Sequence, residues 1–292
     1  MNTDSPATVD RLSTLLERFH VRASLFHAGP LCGRTVFEAR PDRAFLHVLR
    51  QGSLQIEHPL RTEAPKRVVV DKPTLILYPR AVHHEFVNPP REGSDFACAT
   101  LQFDGGDRNP IVAALPSLVL IPLDDVQGLR PALDLLFAET DHLRCGSALL
   151  ANRLFEVVLI QLLRWIIDHP QAIGVNSGLL IGLNNPRLAK ALVALHRAPG
   201  ETWSLERMAG VAGMSRSAFA QVFKTATGTT PSAYLTDWRL MIAASLLRTG
   251  QPQKFIAADL GFSTASSLNR AFKQRYGCSP QRWLQGACGS AD

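Results

Sequence analysis

The sequence predicts an α+β multidomain chain: a small β-barrel or sandwich near the N-terminus, helices after it, and an all-α domain at the C-terminal end. Three observations carry that expectation. Residues 34–103 break into short alternating segments with turn residues between them, as several short strands would. Further on, apolar residues recur at three and four, the period of amphipathic helices. Finally, Phe223-Lys224, Gly228 and Pro231 recur as Phe272-Lys273, Gly277 and Pro280, each 49 residues later. Two copies indicate a duplicated unit and exclude a solenoid, which needs at least three to bury its core.

Taken in order, the predicted strands are 43–49, 53–57, 67–70, 74–78, 84–88 and 96–103. They are punctuated by Gly52, His58-Pro59, Asp71-Lys72-Pro73, Pro79 and Asn88-Pro89-Pro90. Helices are predicted at 129–142 and 147–167, the second with Leu150, Leu154, Val157-Val158 and Leu162 on one side. That stripe packs on its own barrel or on a second copy of the chain. The apolar tract 148–167 is broken by Asn152, Arg153, Glu156, Gln161 and Arg164, so it is amphipathic and too polar to span a membrane. Nothing resembles a signal peptide, and the expected location is cytoplasmic, with no membrane partner. A linker follows, marked by Pro170 and Asn176-Ser177.

Each copy of the repeat has a short helix, a glycine turn and a second helix. Ala209 and Ala257 are small enough for close helix approach, while Gly213 and Gly261 tolerate the positive φ of a tight turn. Ser215 is the expected N-cap of the first copy's second helix, and Ser263 or Thr264 that of the second. Gly228 and Gly277 suit the left-handed residue past a helix end, and Thr230-Pro231 and Ser279-Pro280 restart a helix. Between the copies, 232–248 forms one continuous helix of roughly 28 Å counted from Pro231. Successive major grooves lie about 34 Å apart, so such a spacer can present both second helices to one face of a duplex.

Charge agrees. Residues 184–292 hold 13 Lys/Arg against 5 Asp/Glu, and the whole positive excess of the chain sits there. This is the footprint of a module that binds a polyanion.

The motifs Trp203-Ser204-Leu205, Ala209, Gly213-Met214-Ser215, Phe219, Phe223-Lys224, Gly228 and Pro231, with Ile256-Ala257, Leu260-Gly261-Phe262, Phe272-Lys273, Gly277 and Ser279-Pro280, resemble the two helix-turn-helix units of the AraC/XylS family of transcription regulators. Upstream, Phe45-Leu46-His47, Gly52, Asp71-Lys72-Pro73, Leu75-Ile76-Leu77, Pro79 and His83 resemble the cupin-like N-terminal domain of many members. The resemblance implies a cupin-like sensor domain at 1–126, a helical dimerisation segment at 127–168, a linker at 169–183 and a DNA-binding domain at 184–292. The implied function is a sequence-specific regulator, an activator that contacts RNA polymerase. A double-stranded DNA operator, a small effector or oxidant, and a second copy of the chain are the implied partners.

Carried over residue by residue, the base-facing positions fall on Arg216, Ser217, Ala220 and Gln221, and on Thr264, Ala265, Ser266, Asn269 and Arg270. Arg matches the two acceptors of guanine, and Gln or Asn the edge of adenine. Lys224, Lys273 and Arg275 sit toward the helix ends, where phosphate contacts are expected.

Metal-binding cupins use a His-x-His pair with a downstream carboxylate, whereas this chain has His47 alone at that place. His83 and His84 are adjacent, and on a strand only one of them can join His47. A metal held by His47 with His83 or His84 is therefore a minor alternative, as is a cupin-type metalloenzyme fused to a DNA-binding module. No catalytic residue and no cofactor is assigned. The five cysteines show no C-x-x-C spacing and are expected to be thiols. Cys32, in a loop before the barrel, and Cys98, on a strand, resemble cysteines of the cupin-bearing branch that includes thiol-based, reactive-chlorine-responsive activators. Together with His47 and His83 they are the effector or redox candidates. Redox action requires Cys32 and Cys98 to be close together or individually acidic.

Overall fold

A computed structural model of the chain describes residues 9–89 and 93–285. The described residues fall into two compact units, Phe19–Val175 and a second that joins the residues up to Arg18 with those from Asn176 onward.

The second unit begins with α1 (Ser13–Arg18), whose Arg18 guanidinium donates to the Arg197 carbonyl 3.2 Å away. Residues 13–18 therefore group with the C-terminal unit.

The first unit is built from nine strands, β1 (Val21–Leu31), β2 (Gly33–Phe37), β3 (Ala44–Gln51), β4 (Leu54–Glu57), β5 (Arg67–Val70), β6 (Thr74–Tyr78), β7 (His84–Asn88), β8 (Ser94–Phe103) and β9 (Val119–Pro122). They form two antiparallel sheets, ordered β1-β8-β3-β6-β9 and β2-β7-β4-β5. Parity sets the inward face: Phe45, Leu49, Ile76, Tyr78, Phe86, Phe96 and Cys98 alternate along their strands and meet in one core. Strand β3 is buried on both faces from Ala44 to Leu49, as a central strand between a core and covering helices should be.

Strand β1 was not predicted, and Cys32 lies not in a loop before the barrel but at the one-residue junction of β1 and β2. Two features hide it. The register shifts between Leu25 and His27, and the strand carries Gly29-Pro30, which an edge strand tolerates because its outer amides need no sheet partner.

Helices α2 (Pro110–Ala114), α3 (Arg130–Asp141) and α4 (Ser147–Asp168) complete this unit, and α5 (Leu179–Asn184) lies in the other. Helix α4 lies along the edge strand, where Asn152 accepts the Leu25 amide at 2.7 Å. Covering an edge in this way prevents pairing with another chain. No helix among the described residues is long and apolar enough to cross a membrane.

Two short helical elements fall within residues 169–184. A 3₁₀ turn occupies Pro170–Ile173, and α5 buries Leu180 and Leu183 in the C-terminal unit. That unit continues with α6 (Pro186–Arg197), α7 (Leu205–Ala212), α8 (Arg216–Thr227), α9 (Pro231–Arg248), α10 (Gln253–Asp259), α11 (Ala265–Tyr276) and α12 (Pro280–Leu284).

Candidate nucleic-acid interface and sensor barrel

Local chemistry sets the two helix-turn-helix units. Ser215 accepts the Ala218 amide to start α8, and Thr264 forms a reciprocal capping box with Ser267 to start α11. Gly213, Gly228, Gly261 and Gly277 all have left-handed φ between 62° and 78°. The turns close identically: the Met214 amide donates to Ala209 at 2.9 Å and the Phe262 amide to Ala257 at 2.8 Å. Phe219 and Phe223 on α8, and Leu268 and Phe272 on α11, are fully buried, so the opposite faces are turned outward.

On those faces Arg216, Ser217, Gln221 and Lys224 of α8, and Ser266, Arg270 and Lys273 of α11, are exposed; so is Thr264 at the cap of α11. Ala220 and Ala265 are half-buried. Arg216, Lys224, Arg270 and Lys273 make no ion pair among the described residues, leaving each guanidinium or ammonium free for an external acceptor. Two predicted contacts are placed differently from the rest. Asn269 is half-buried with its Oδ1 turned inward and without a hydrogen-bond partner, and Arg275 is taken by Asp237 of α9 at 3.2 Å.

Sequence reasoning missed the clamp that joins the two copies. Arg239, midway along α9, donates from Nε to the Pro199 carbonyl at 2.7 Å and from Nη2 to that of Glu201 at 2.9 Å. Between those residues Gly200 passes so close to the second copy's turn that a Cβ would overlap the Asp259 carbonyl oxygen. Gly261 faces Gly200 with equally little space. Trp238 is fully buried beside it on α9, stacked on His196 with ring centroids 3.9 Å apart.

In the barrel, the register selects His84 over His83. His84 is fully buried, with its Nε2 3.2 Å from His47 Nε2, whereas His83 precedes β7, keeps some exposure and lies 3.7 Å from Glu85. His83 therefore does not lie beside His47. Backbone contacts fix the tautomers. His84 Nδ1 donates to the Val82 carbonyl at 2.9 Å, so its Nε2 accepts the proton of His47 Nε2. His47 Nδ1 is then a bare acceptor with no partner. His58 Nδ1 likewise donates to Pro65, so its Nε2 accepts the Tyr78 hydroxyl at 2.9 Å.

Burial holds His84 down to about 3 and His47 well below its ordinary value, each also pushed down by a neighbouring histidine. Below about pH 6.5 the unfolded chain takes up protons that the folded barrel refuses. Stability is therefore complete above that pH and is lost as pH falls toward 3, by about 1.4 kcal/mol per pH unit for each ring. Urea unfolding of the barrel at pH 7.5 and 5.5 is expected to show this loss; equal midpoints would mean the rings are charged in the native state.

No group of three or more His, Cys, Asp or Glu among the described residues is arranged to hold a metal ion. His47 and His84 bring two ring nitrogens together there, and no third His, Cys, Asp or Glu joins them among the described residues. The cysteines are also apart. Cys32 is exposed beside Gly93, at the end of the β1–β8 ladder where Leu31 faces Ser94. Cys98 lies four residues along β8, facing His27 and His47, and thus about 13 Å away along the strand. A disulfide needs Cα atoms within about 7 Å, so the structure does not bring this pair into bonding reach. Burial pushes the Cys98 thiol well up, while Cys145 is a third free thiol. Cys278 corrects the all-thiol expectation, since it is disulfide-bonded.

A cupin family profile matches residues 10–168, and a helix-turn-helix domain profile matches residues 208–286. The chain is 30% identical over 247 residues to the RCS-specific HTH-type transcriptional activator RclR of Escherichia coli, covering 82% of this chain and 83% of that protein. The chain belongs to the AraC family of transcription regulators. A putative AraC-like transcription regulator of Streptomyces antibioticus is 37% identical over 170 residues, 57% of this chain and 55% of that one, so the chain spans about half of that relative's length. Among solved structures, the DNA-binding domain of AdpA in complex with a target DNA is 27% identical, covers 34% of this chain and 89% of its own, and gives a TM-score of 0.32. As an AraC-family member the chain is a DNA-binding transcription regulator, with a cupin domain over its N-terminal half.

Proposed function

We propose that the two exposed faces of α8 and α11 read adjacent major grooves of one operator, and that the cupin barrel sets this binding in response to a small effector. The observation that carries this is the pair of unpaired cationic faces, Arg216 with Lys224 and Arg270 with Lys273, on helices joined through α9 and the Arg239 clamp. Guanidinium groups favour guanine through paired hydrogen bonds, and the lysines favour phosphate. Activation through RNA polymerase is the sign that the family favours.

Arg270→Ala is expected to weaken operator binding by about 1–3 kcal/mol and to relax discrimination at one base position. Gel-shift titrations against a panel of single-base operator variants measure both. Unchanged affinity and base preference would remove Arg270 as a reader.

The chain acts as a homodimer through α4, where Leu149, Leu150 and Val157 are 65%, 40% and 41% exposed on a helix whose other face is buried. A monomeric mass by light scattering would remove α4 from that role. Oxidant response rests on Cys32, the exposed thiol of the pair.

A further inference from the structure

At one mouth of the barrel, between β1, β2 and the start of β3, lies a cavity of about 490 Å³. That volume is in the range of small-molecule sites. Its apolar surface is aromatic. Phe26 is 46% exposed, placed there by the register shift in β1, and its ring meets Phe37 and Phe45 edge-on at centroid distances of 6.1 Å each. Val36, half exposed, completes that side. Phe26 and Val36 continue onto Leu25, Phe37 and Phe45 in one concave apolar lining, the kind of surface an apolar ligand covers.

The rim, with Glu38, Arg40 and Arg43, carries a net positive charge. Glu38 is held by Arg40 at 3.4 Å, which leaves Arg43 as the uncompensated group, with no side-chain hydrogen bond or ion pair among the described residues. The backbone keeps Arg43 at the cavity, since its amide donates to the Arg40 carbonyl at 3.1 Å in the β2–β3 turn. An anionic group on the ligand gives Arg43 the acceptor it lacks, and a guanidinium pairs best with a planar carboxylate-like group.

We propose that this cavity binds a flat, apolar ring molecule carrying one anionic group, with its rings against Phe26, Phe37 and Phe45 and its charge on Arg43. The proposal rests on the effector reading above and names the chemical class of that effector. The floor offers a route inward: Phe37 stacks on His84 at 4.9 Å and Phe45 on His47 at 5.6 Å. A ligand pressing on these two rings bears on the histidine pair, where His47 Nδ1 is buried without a hydrogen-bond partner.

Two naphthalene probes that differ in charge test this on the full chain: 8-anilinonaphthalene-1-sulfonate and the neutral N-phenyl-1-naphthylamine. Both are expected to bind. Arg43→Gln should weaken the sulfonate about tenfold or more, the scale of one charge-assisted hydrogen bond, and leave the neutral probe unchanged. Phe26→Ala should weaken both, and Arg130→Gln, at a different cavity, neither. Loss of both probes alike on Arg43→Gln, or insensitivity to both cavity variants, would overturn the proposal. Operator affinity measured with and without the sulfonate separates the two readings. No change there removes the effector role, while the Arg43→Gln comparison still decides whether the site exists.

Discussion

Replacing Gly261 by alanine is expected to destabilise the C-terminal unit by about 2–5 kcal/mol and to abolish tight operator binding. Two costs add. A side chain at φ 72° is strained, by about 1–3 kcal/mol, and its Cβ would overlap the Gly200 carbonyl oxygen, where backbone must shift. The consequence reaches function because Gly200 and Gly261 are where the first copy's leading loop crosses the second copy's turn. Gly210, on α7, has nothing within 4 Å of a built Cβ, so Gly210→Ala should leave stability within about 1 kcal/mol of the parent or raise it. Thermal unfolding of the two variants makes the comparison; equal melting points would show that the crossing is not tight in solution.

Trp238→Ala should cost about 3–5 kcal/mol, the range for deleting a large buried aromatic. Trp238 is fully buried on α9 and stacks on His196, whose Nε2 meets the Tyr234 hydroxyl at 2.7 Å. Removing the indole leaves a cavity between α6 and α9 and strips the cover from a histidine that burial holds down to about 3. Denaturant unfolding of the C-terminal unit followed by far-ultraviolet circular dichroism reads the loss. A change below about 1 kcal/mol would mean that α9 is not the rigid element between the two copies.

The parts of this fold that were legible in the sequence are those written locally. The caps at Ser215 and Thr264 and the left-handed glycines 213, 228, 261 and 277 each need only a few neighbouring residues, and the structure has them in those roles. Strands 67–70, 74–78 and 84–88 coincide with β5, β6 and β7 because turn residues flank short β-branched and aromatic runs.

What stayed hidden depends on pairing across the chain. Strand β1 was obscured by its own irregular register and by Gly29-Pro30. Parity alone excluded a joint role for His83 and His84, yet only the β2–β7 and β3–β6 registers could say that His84 is the one facing His47. The Arg239 clamp joins residues about forty apart, so no spacing rule reveals it. Asn269, expected from its position to face the bases, has its Oδ1 turned inward, which only packing could show. The cysteine pair illustrates the opposite hazard: sequence resemblance grouped Cys32 with Cys98, and the sheet register separates them along β8.

The central claim is that two recognition helices are held rigidly for two neighbouring grooves. Hydroxyl-radical footprinting of the full chain on a duplex selected from random sequence tests it most directly. For each bound copy of the chain the account predicts two protected segments on the same face of the duplex, with centres about 10 base pairs apart. A single protected segment, or two on opposite faces, would contradict it.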